Sequence, residues 1–296
     1  MNATWDGKFT TTGRNRIEML SDQELLLKSY ALRRRMLRLI HHAGAGHTGG
    51  GLSCIEILSV LYNRVLSITP ETAGAPTRDR YVQSKGHCVE ALYTVLSDRG
   101  YFPDADLETV CRYQSKYVGH PTRKIRGIEM NTGALGHGLP ICLGMALASK
   151  MDADTFRVFT LLGDGELAEG SNWEAAMAAA HHRLDNLTAI LDHNTLQITG
   201  PTRDVMSNEP LDLKWRAFGW EVRVVDGHDF AALTTALTAP HPGRPLFVIA
   251  NTIKGKGVGF MENVARWHHG VPSGAELAVA LAELDAAEEK LRRVNP

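Results

Sequence analysis

A carboxylate between two glycines opens the segment GDGELAEGSNWEA (residues 163–175), directly after the apolar run RVFTLL. Glycine on each side of Asp164 lets the backbone approach a ligand closely. Ser171 and Glu174 are expected to cap the helix that follows, whose Ala-rich body suits tight packing on a sheet. The free amides at such a helix start attract an anion. A carboxylate beside that anion is repelled unless a cation lies between the two. The pattern therefore predicts a diphosphate bridged by a hard divalent ion. The segment LTAILDHNTLQITG (residues 187–200) puts Asn194 thirty residues after Asp164, at the end of a second apolar run. A carboxylate, an amide oxygen, a backbone carbonyl and phosphate oxygens, completed by water, satisfy an octahedral magnesium shell. The chain also carries 13 histidines in 296 residues, a large supply of the side chain that moves protons near neutral pH.

These groups need elements to hold them. RVFTLL, LTAIL, EVRVV and PLFVIAN are the clearest short apolar runs, and runs that do not alternate apolar with polar suit strands covered on both faces. Helical patterns such as SNWEAAMAAAHHRL and DFAALTTALTA lie between them. Strand and helix in alternation predict a doubly wound, mainly parallel α/β sheet with helices on both faces, whose ligands lie beyond the carboxyl ends of the strands. Ser21 and Glu24 form a capping box for a first helix that stops at Gly44. A Gly-rich turn, GAGHTGGG, is then expected to lead into the helical pattern LSCIEILSVLYNRVL. Ser273 and Glu276 cap a final long helix. Residues 1–20 read as a polar extension and residues 21–296 as a single α/β domain.

The balance of 32 basic and 33 acidic side chains removes the electrostatic footprint of a nucleic-acid binder or a membrane-surface protein. No run of about 18 apolar residues occurs, and the first twenty residues lack the apolar core of a signal peptide. Cys54, Cys88, Cys111 and Cys142 are scattered and form no CxxC pair, as for reduced thiols in a cytoplasmic protein. Gly44, Gly46 and Gly49 spell GxGxxG, but a helix precedes them where a dinucleotide site requires a strand. They are expected to form a flexible turn between helices.

GDG followed at this spacing by an asparagine resembles the thiamine-diphosphate signature. Further segments narrow the resemblance to transketolases, specifically the N-terminal subunit of the two-chain kind. AGAGHTGGGLS resembles their SGHPGG-type segment, DRYVQSKGH their SKGH segment and YVGHPT their GHP segment. NTGALGHGLPICLGMALA is similar to their TGxLGQG segment, and KGKGVGFMENVARWHHGVP to their closing segment. The resemblance implies thiamine diphosphate with Mg2+ (or Ca2+ or Mn2+) as cofactors. It implies metal ligation by Asp164, Asn194 and the Leu196 carbonyl, and diphosphate contacts from Gly165, His87 and His268. It places Gly133, Ala134 and Leu135 against the cofactor rings and His47 and His120 at the substrate, with His268 also within reach of it. Glu169 would lie at the junction with a partner. Ketol transfer moves protons on several hydroxyls, which imidazole does best at neutral pH. The doubled histidine leaves His269 as an alternative to His268, and His41, His42, His181, His182, His228 and His241 match nothing.

Some positions depart from the family pattern. His137 stands where a glutamine is usual, His193 replaces a usual polar neighbour of the metal asparagine, Thr199 stands where aspartate is common, and Thr48 replaces a proline. None removes a metal ligand, and they leave the choice of ketose donor and aldose acceptor open. Lys254 and Lys256 suit a solvated basic loop at least as well as a phosphate contact. The motifs cover only the diphosphate-gripping half of a transketolase, so a separately encoded pyrimidine-binding subunit is expected as partner, with sugar or sugar-phosphate substrates. The alpha subunit of a 2-oxo-acid dehydrogenase shares GDG and the asparagine but lacks the SKGH and GHP histidines. Deoxyxylulose-phosphate synthase is normally one long chain without this SKGH form. Intact ligands and site histidines argue against a non-catalytic interaction subunit.

Overall fold

The computed structural model describes residues 20–294, so the polar extension expected over residues 1–20 lies almost wholly outside the described residues. Helix α1 (Asp22–Ala43) begins at the expected box: the Ser21 amide donates to Glu24, and the Glu24 amide donates to the Ser21 hydroxyl. It ends where Gly44 turns left-handed at φ +68° and donates its amide to the Ile40 carbonyl. Next come α2 (Thr48–Ser53), α3 (Ile55–Val60), β1 (Arg80–Gln83), α4 (Val89–Asp98) and α5 (Gly138–Met151). β2 (Val158–Gly163), α6 (Gly170–His181) and β3 (Leu187–His193) follow, then the two-residue strands β4 (Leu196–Gln197) and β5 (Gly200–Pro201). The chain continues through α7 (Thr202–Val205), α8 (Leu211–Ala217), β6 (Glu221–Asp226), α9 (Phe230–Thr238), β7 (Leu246–Asn251) and α10 (Gly274–Val294). No described helix is long and apolar enough to cross a membrane.

Five strands pair in the order β1-β2-β3-β7-β6, all parallel. Successive side chains of a strand point to opposite faces, and here both faces are apolar. Val158 and Leu162 of β2, Leu187, Ala189 and Leu191 of β3, and Phe247 and Ile249 of β7 join one core with α5, α6 and α8. Phe159 and Leu161, Ile190, and Leu246, Val248 and Ala250 join the other with α1, α3, α4 and α9. This double burial is why the three central strands read as unbroken apolar runs. β6 differs: it has one neighbour, and Val224 is 53% exposed at the edge. β1 is a strand that hydrophobic runs do not announce, because its four residues RYVQ contain two polar ones.

Two local expectations are corrected. Ser171 does not cap α6: the N-cap is Glu169, without a side-chain cap bond, and the Ser171 hydroxyl donates to the Gly136 carbonyl. The glycines after His47 are not a flexible turn. Gly49, Gly50 and Gly51 are buried in α2, and a Cβ at Gly51 would come within 2.7 Å of the Met36 sulfur. They are small so that the helix can press against Met36 of α1, Cys88 and the Trp267 backbone.

Trp215 of α8 stacks on Phe247 of β7 with centroids 3.8 Å apart and planes 7° apart, fully buried. Trp215→Ala removes a large side chain that its neighbours cannot replace, so we expect a loss of about 3–5 kcal/mol in denaturant unfolding. A loss near zero would show that α8 does not cover this face of the sheet.

Candidate functional site

Parallel pairing brings the carboxyl ends of β1, β2, β3 and β7 to one edge of the sheet. The residues just beyond each strand therefore meet there: Lys85 and His87 after β1, Asp164 and Gly165 after β2, Asn194 after β3 and Lys254 after β7. The start of α2 adds His47. These residues line a cavity of about 210 Å³, together with Gly133, Leu135, Leu196 and His268.

One wall is built of oxygens. Asp164 is 6% exposed, and its carboxylate accepts from the Thr195 amide. Burial pushes this carboxyl well above its ordinary range, and the His193 imidazole, 3.8 Å away, pulls it partly back. Asn194 is 5% exposed; its Nδ2 donates to Asp192 at 3.2 Å, which fixes the amide, and its Oδ1 accepts from the Leu196 amide at 3.2 Å. The Leu196 carbonyl faces the Lys254 ammonium at 3.4 Å.

Another part of the lining is imidazole. The His47 ring lies 5.0 Å from His87, 6.4 Å from His120, 5.6 Å from His268 and 4.6 Å from His269, and His87 stacks on His268 at 5.3 Å. Burial and the neighbouring cationic groups hold His47 down at about 4 and His268 at about 3. Burial and the Lys85 charge push His87 lower still, and burial lowers His120. His47, His87, His120 and His268 are therefore neutral at physiological pH, and their rings can accept hydrogen bonds. Lys254 Nζ lies 2.9 Å from His268 Nδ1; an ammonium can only donate, so Nδ1 accepts and the proton of His268 sits on Nε2. Burial, together with the Lys85 charge, lowers Lys254 to about 8.

A model of the family described as "Transketolase, thiamine diphosphate binding domain" matches residues 28–286. The chain belongs to the transketolase family. One subunit of the apulose-4-phosphate transketolase of Actinobacillus succinogenes is 48% identical over 268 residues, spanning 90% of this chain and 97% of that one. Its namesake from Phocaeicola vulgatus is 44% identical over 275 residues, spanning 92% and 98%. The solved transketolase of Campylobacter jejuni matches with a TM-score of 0.80 at 30% identity, covering 93% of this chain and 48% of that one. The chain thus spans nearly the whole of the two apulose-4-phosphate transketolase subunits and about half of the solved transketolase.

Of the site residues named from the transketolase resemblance, His47, His87, Gly133, Leu135, Asp164, Gly165, Asn194, Leu196 and His268 line the cavity. His120 stands exposed on its rim, close enough that a Cβ on Gly133 would come within 2.7 Å of its ring. Ala134 and Glu169 are exposed outside it. His269 is more exposed than His268 but nearer to His47. Sequence reasoning undervalued several lining residues, Glu166 among them. Lys254 is no solvated loop residue but 2% exposed; the Gly255 amide anchors its neighbourhood on the Gly49 carbonyl. Lys85, Gln197 and Ile198 went unnoticed. Lys85 was visible inside the SKGH motif, whereas Gln197 and Ile198 carry no signal beyond their nearness to Asn194. His137 is exposed, bonded to the Leu135 carbonyl, and Thr48 donates to the Gly270 carbonyl.

The depressed basicity of His47 has a sign. Its folded value lies below its unfolded one, so the unfolded chain binds more protons between pH 6.5 and about 4, and stability falls as pH drops through that window. His47→Asn should make the slope of stability against pH shallower there, measured as urea midpoints at a series of pH values. An unchanged slope would show that His47 is not desolvated.

Proposed function

We propose that this chain is the diphosphate-gripping subunit of a two-chain transketolase. With a separately encoded pyrimidine-binding subunit, it moves a two-carbon ketol unit from a ketose or ketose phosphate to an aldose or aldose phosphate. The observation that carries this reading is the meeting, in one cavity, of an oxygen wall with a wall of neutral histidines. The cavity fits thiamine diphosphate and Mg2+ on three grounds. His47 Nδ1 and Gln197 Nε2 are buried without a hydrogen-bond partner. A Cβ at Gly165 would come within 2.7 Å of Gln197, so only glycine leaves room for close approach. The buried Asp164 carboxylate is disfavoured as a bare charge, which a bound cation relieves.

In this reading Asp164, Asn194 and the Leu196 carbonyl hold the metal, a set of hard oxygen donors suited to Mg2+. Gly165, His87 and His268 hold the diphosphate, with Lys254 adding positive charge at the same wall. Residues 133–135 lie against the cofactor rings. When bound, thiamine diphosphate supplies the electron sink for breaking and making the carbon–carbon bond. His47 and His120 face the substrate hydroxyls and carbonyl, where neutral imidazoles accept and return protons. His47, with its basicity depressed by burial, gives a proton back readily. Glu169, exposed beside Gly136, reaches toward the partner. Apulose 4-phosphate, the sugar in the names of two relatives, is the first substrate to offer.

The test is reconstitution. The chain alone should show no two-carbon transfer, and the chain co-purified with a partner encoded by a neighbouring reading frame should show it. Asp164→Asn should weaken Mg2+-dependent thiamine diphosphate binding at least about tenfold by calorimetry, with the fold intact by circular dichroism. Transfer by the chain alone would overturn the two-chain assembly, and unweakened binding would overturn the metal assignment.

A further inference from the structure

His228 lies outside the cavity, just past the end of β6, and matches none of the family's site segments. Its surroundings fix its chemistry. The Ile253 amide donates to His228 Nε2 at 2.9 Å. A backbone N–H can only donate, so Nε2 carries no proton and Nδ1 carries it. Nδ1 in turn donates to Glu56 Oε2 at 3.1 Å. Glu56, on α3 and 3% exposed, is gripped by the Arg33 guanidinium of α1 at 2.6 and 2.8 Å. Burial would raise the Glu56 carboxyl, but Arg33 and His228 hold it below its usual range, so it stays charged.

The same chain of side chains reaches the backbone after β7 twice. His228 takes the Ile253 amide, and Arg33 Nε donates to the Lys256 carbonyl at 3.0 Å. Between these two anchors sits Lys254, whose flexible four-carbon stem ends in the cavity at 2% exposure. This segment has left the sheet ladder, so side chains must supply what strand pairing no longer does.

We propose that His228 is a positioning residue for the cavity: backed by Glu56 and Arg33, its Nε2 pins the Ile253 amide and so seats Lys254 at the anion-binding wall. The proposal rests on the reading of this cavity as the diphosphate site.

The two ring nitrogens can be tested separately in the complex co-purified with its partner subunit. His228→Gln places a carbonyl oxygen where Nε2 accepts, and His228→Asn keeps a donor toward Glu56 but offers Ile253 nothing. Hydrogen exchange of the Ile253 amide reads the clamp itself, and calorimetric titration with thiamine diphosphate and Mg2+ reads its consequence. We expect slow Ile253 exchange in the unsubstituted complex and in His228→Gln. In His228→Asn we expect fast exchange and binding weakened about tenfold, the effect of one lost buried hydrogen bond. Equal behaviour of the two variants would overturn the proposal, as would weakened binding with Ile253 still protected. If neither variant folds, exchange in the unsubstituted complex decides: slow exchange supports the clamp and fast exchange overturns it. A complex that binds no thiamine diphosphate would instead refute the functional reading, while the exchange comparison still judges the clamp.

Discussion

The ion pair between Lys85 and Asp192 is the constraint on which the cavity depends. Asp192 is wholly buried and Lys85 is 2% exposed. Burial opposes the Asp192 charge, but Lys85 outweighs it and the carboxyl stays below its usual range. Besides the ammonium, Asp192 accepts from Ser53 at 2.6 Å, from the Thr252 hydroxyl and from Asn194 at 3.2 Å. Lys85 also donates to the Gly50 carbonyl at 3.1 Å. One carboxylate thus gathers the ends of β1, β3 and β7 and the Gly-rich α2. Removing one member of such a pair leaves an uncompensated buried charge, at a cost of roughly 3–5 kcal/mol. The orientation of Asn194 follows from this hub, because its Nδ2 is committed to Asp192.

A second carboxylate does the same on the other side. Glu166, 1% exposed, takes the Gly163 amide at 2.9 Å, the Gly136 amide at 3.1 Å and the Ser84 hydroxyl. It links the end of β2 with the loop of residues 133–136 and the end of β1. Between the two hubs, Lys254 touches both the Leu196 carbonyl and His268, and burial with the nearby lysine charges keeps His47, His87 and His268 neutral while they still line the cavity.

Much of this was legible in the residues. The unbroken apolar runs of β2, β3 and β7 announced strands buried on both faces, and two of the three expected caps marked true helix starts: Ser273 and Glu276 exchange the same bonds as Ser21 and Glu24. GDG and the asparagine thirty residues later reached one wall because parallel strands align their carboxyl ends. The misreadings have physical causes. Ser171 has the spacing of a cap but spends its hydroxyl on Gly136, a loop distant in sequence. The glycines of α2 looked like a turn because the partners that demand their smallness, Met36 and Cys88, lie elsewhere in the chain. β1 was too short and too polar to register.

Local chemistry and periodicity therefore determined the class of this protein from sequence alone: a parallel α/β fold with Asp164 and Asn194 at strand ends and a surplus of histidines. Only the tertiary structure decided which histidines meet, that Lys254 is buried in the cavity, and that Lys85, Asp192, Glu166 and His228 hold the walls. The reason is physical. Strand and helix patterns depend on neighbours within a few residues, whereas burial and charge pairing depend on groups such as Lys85 and Asp192, 107 positions apart, that only the folded sheet brings together.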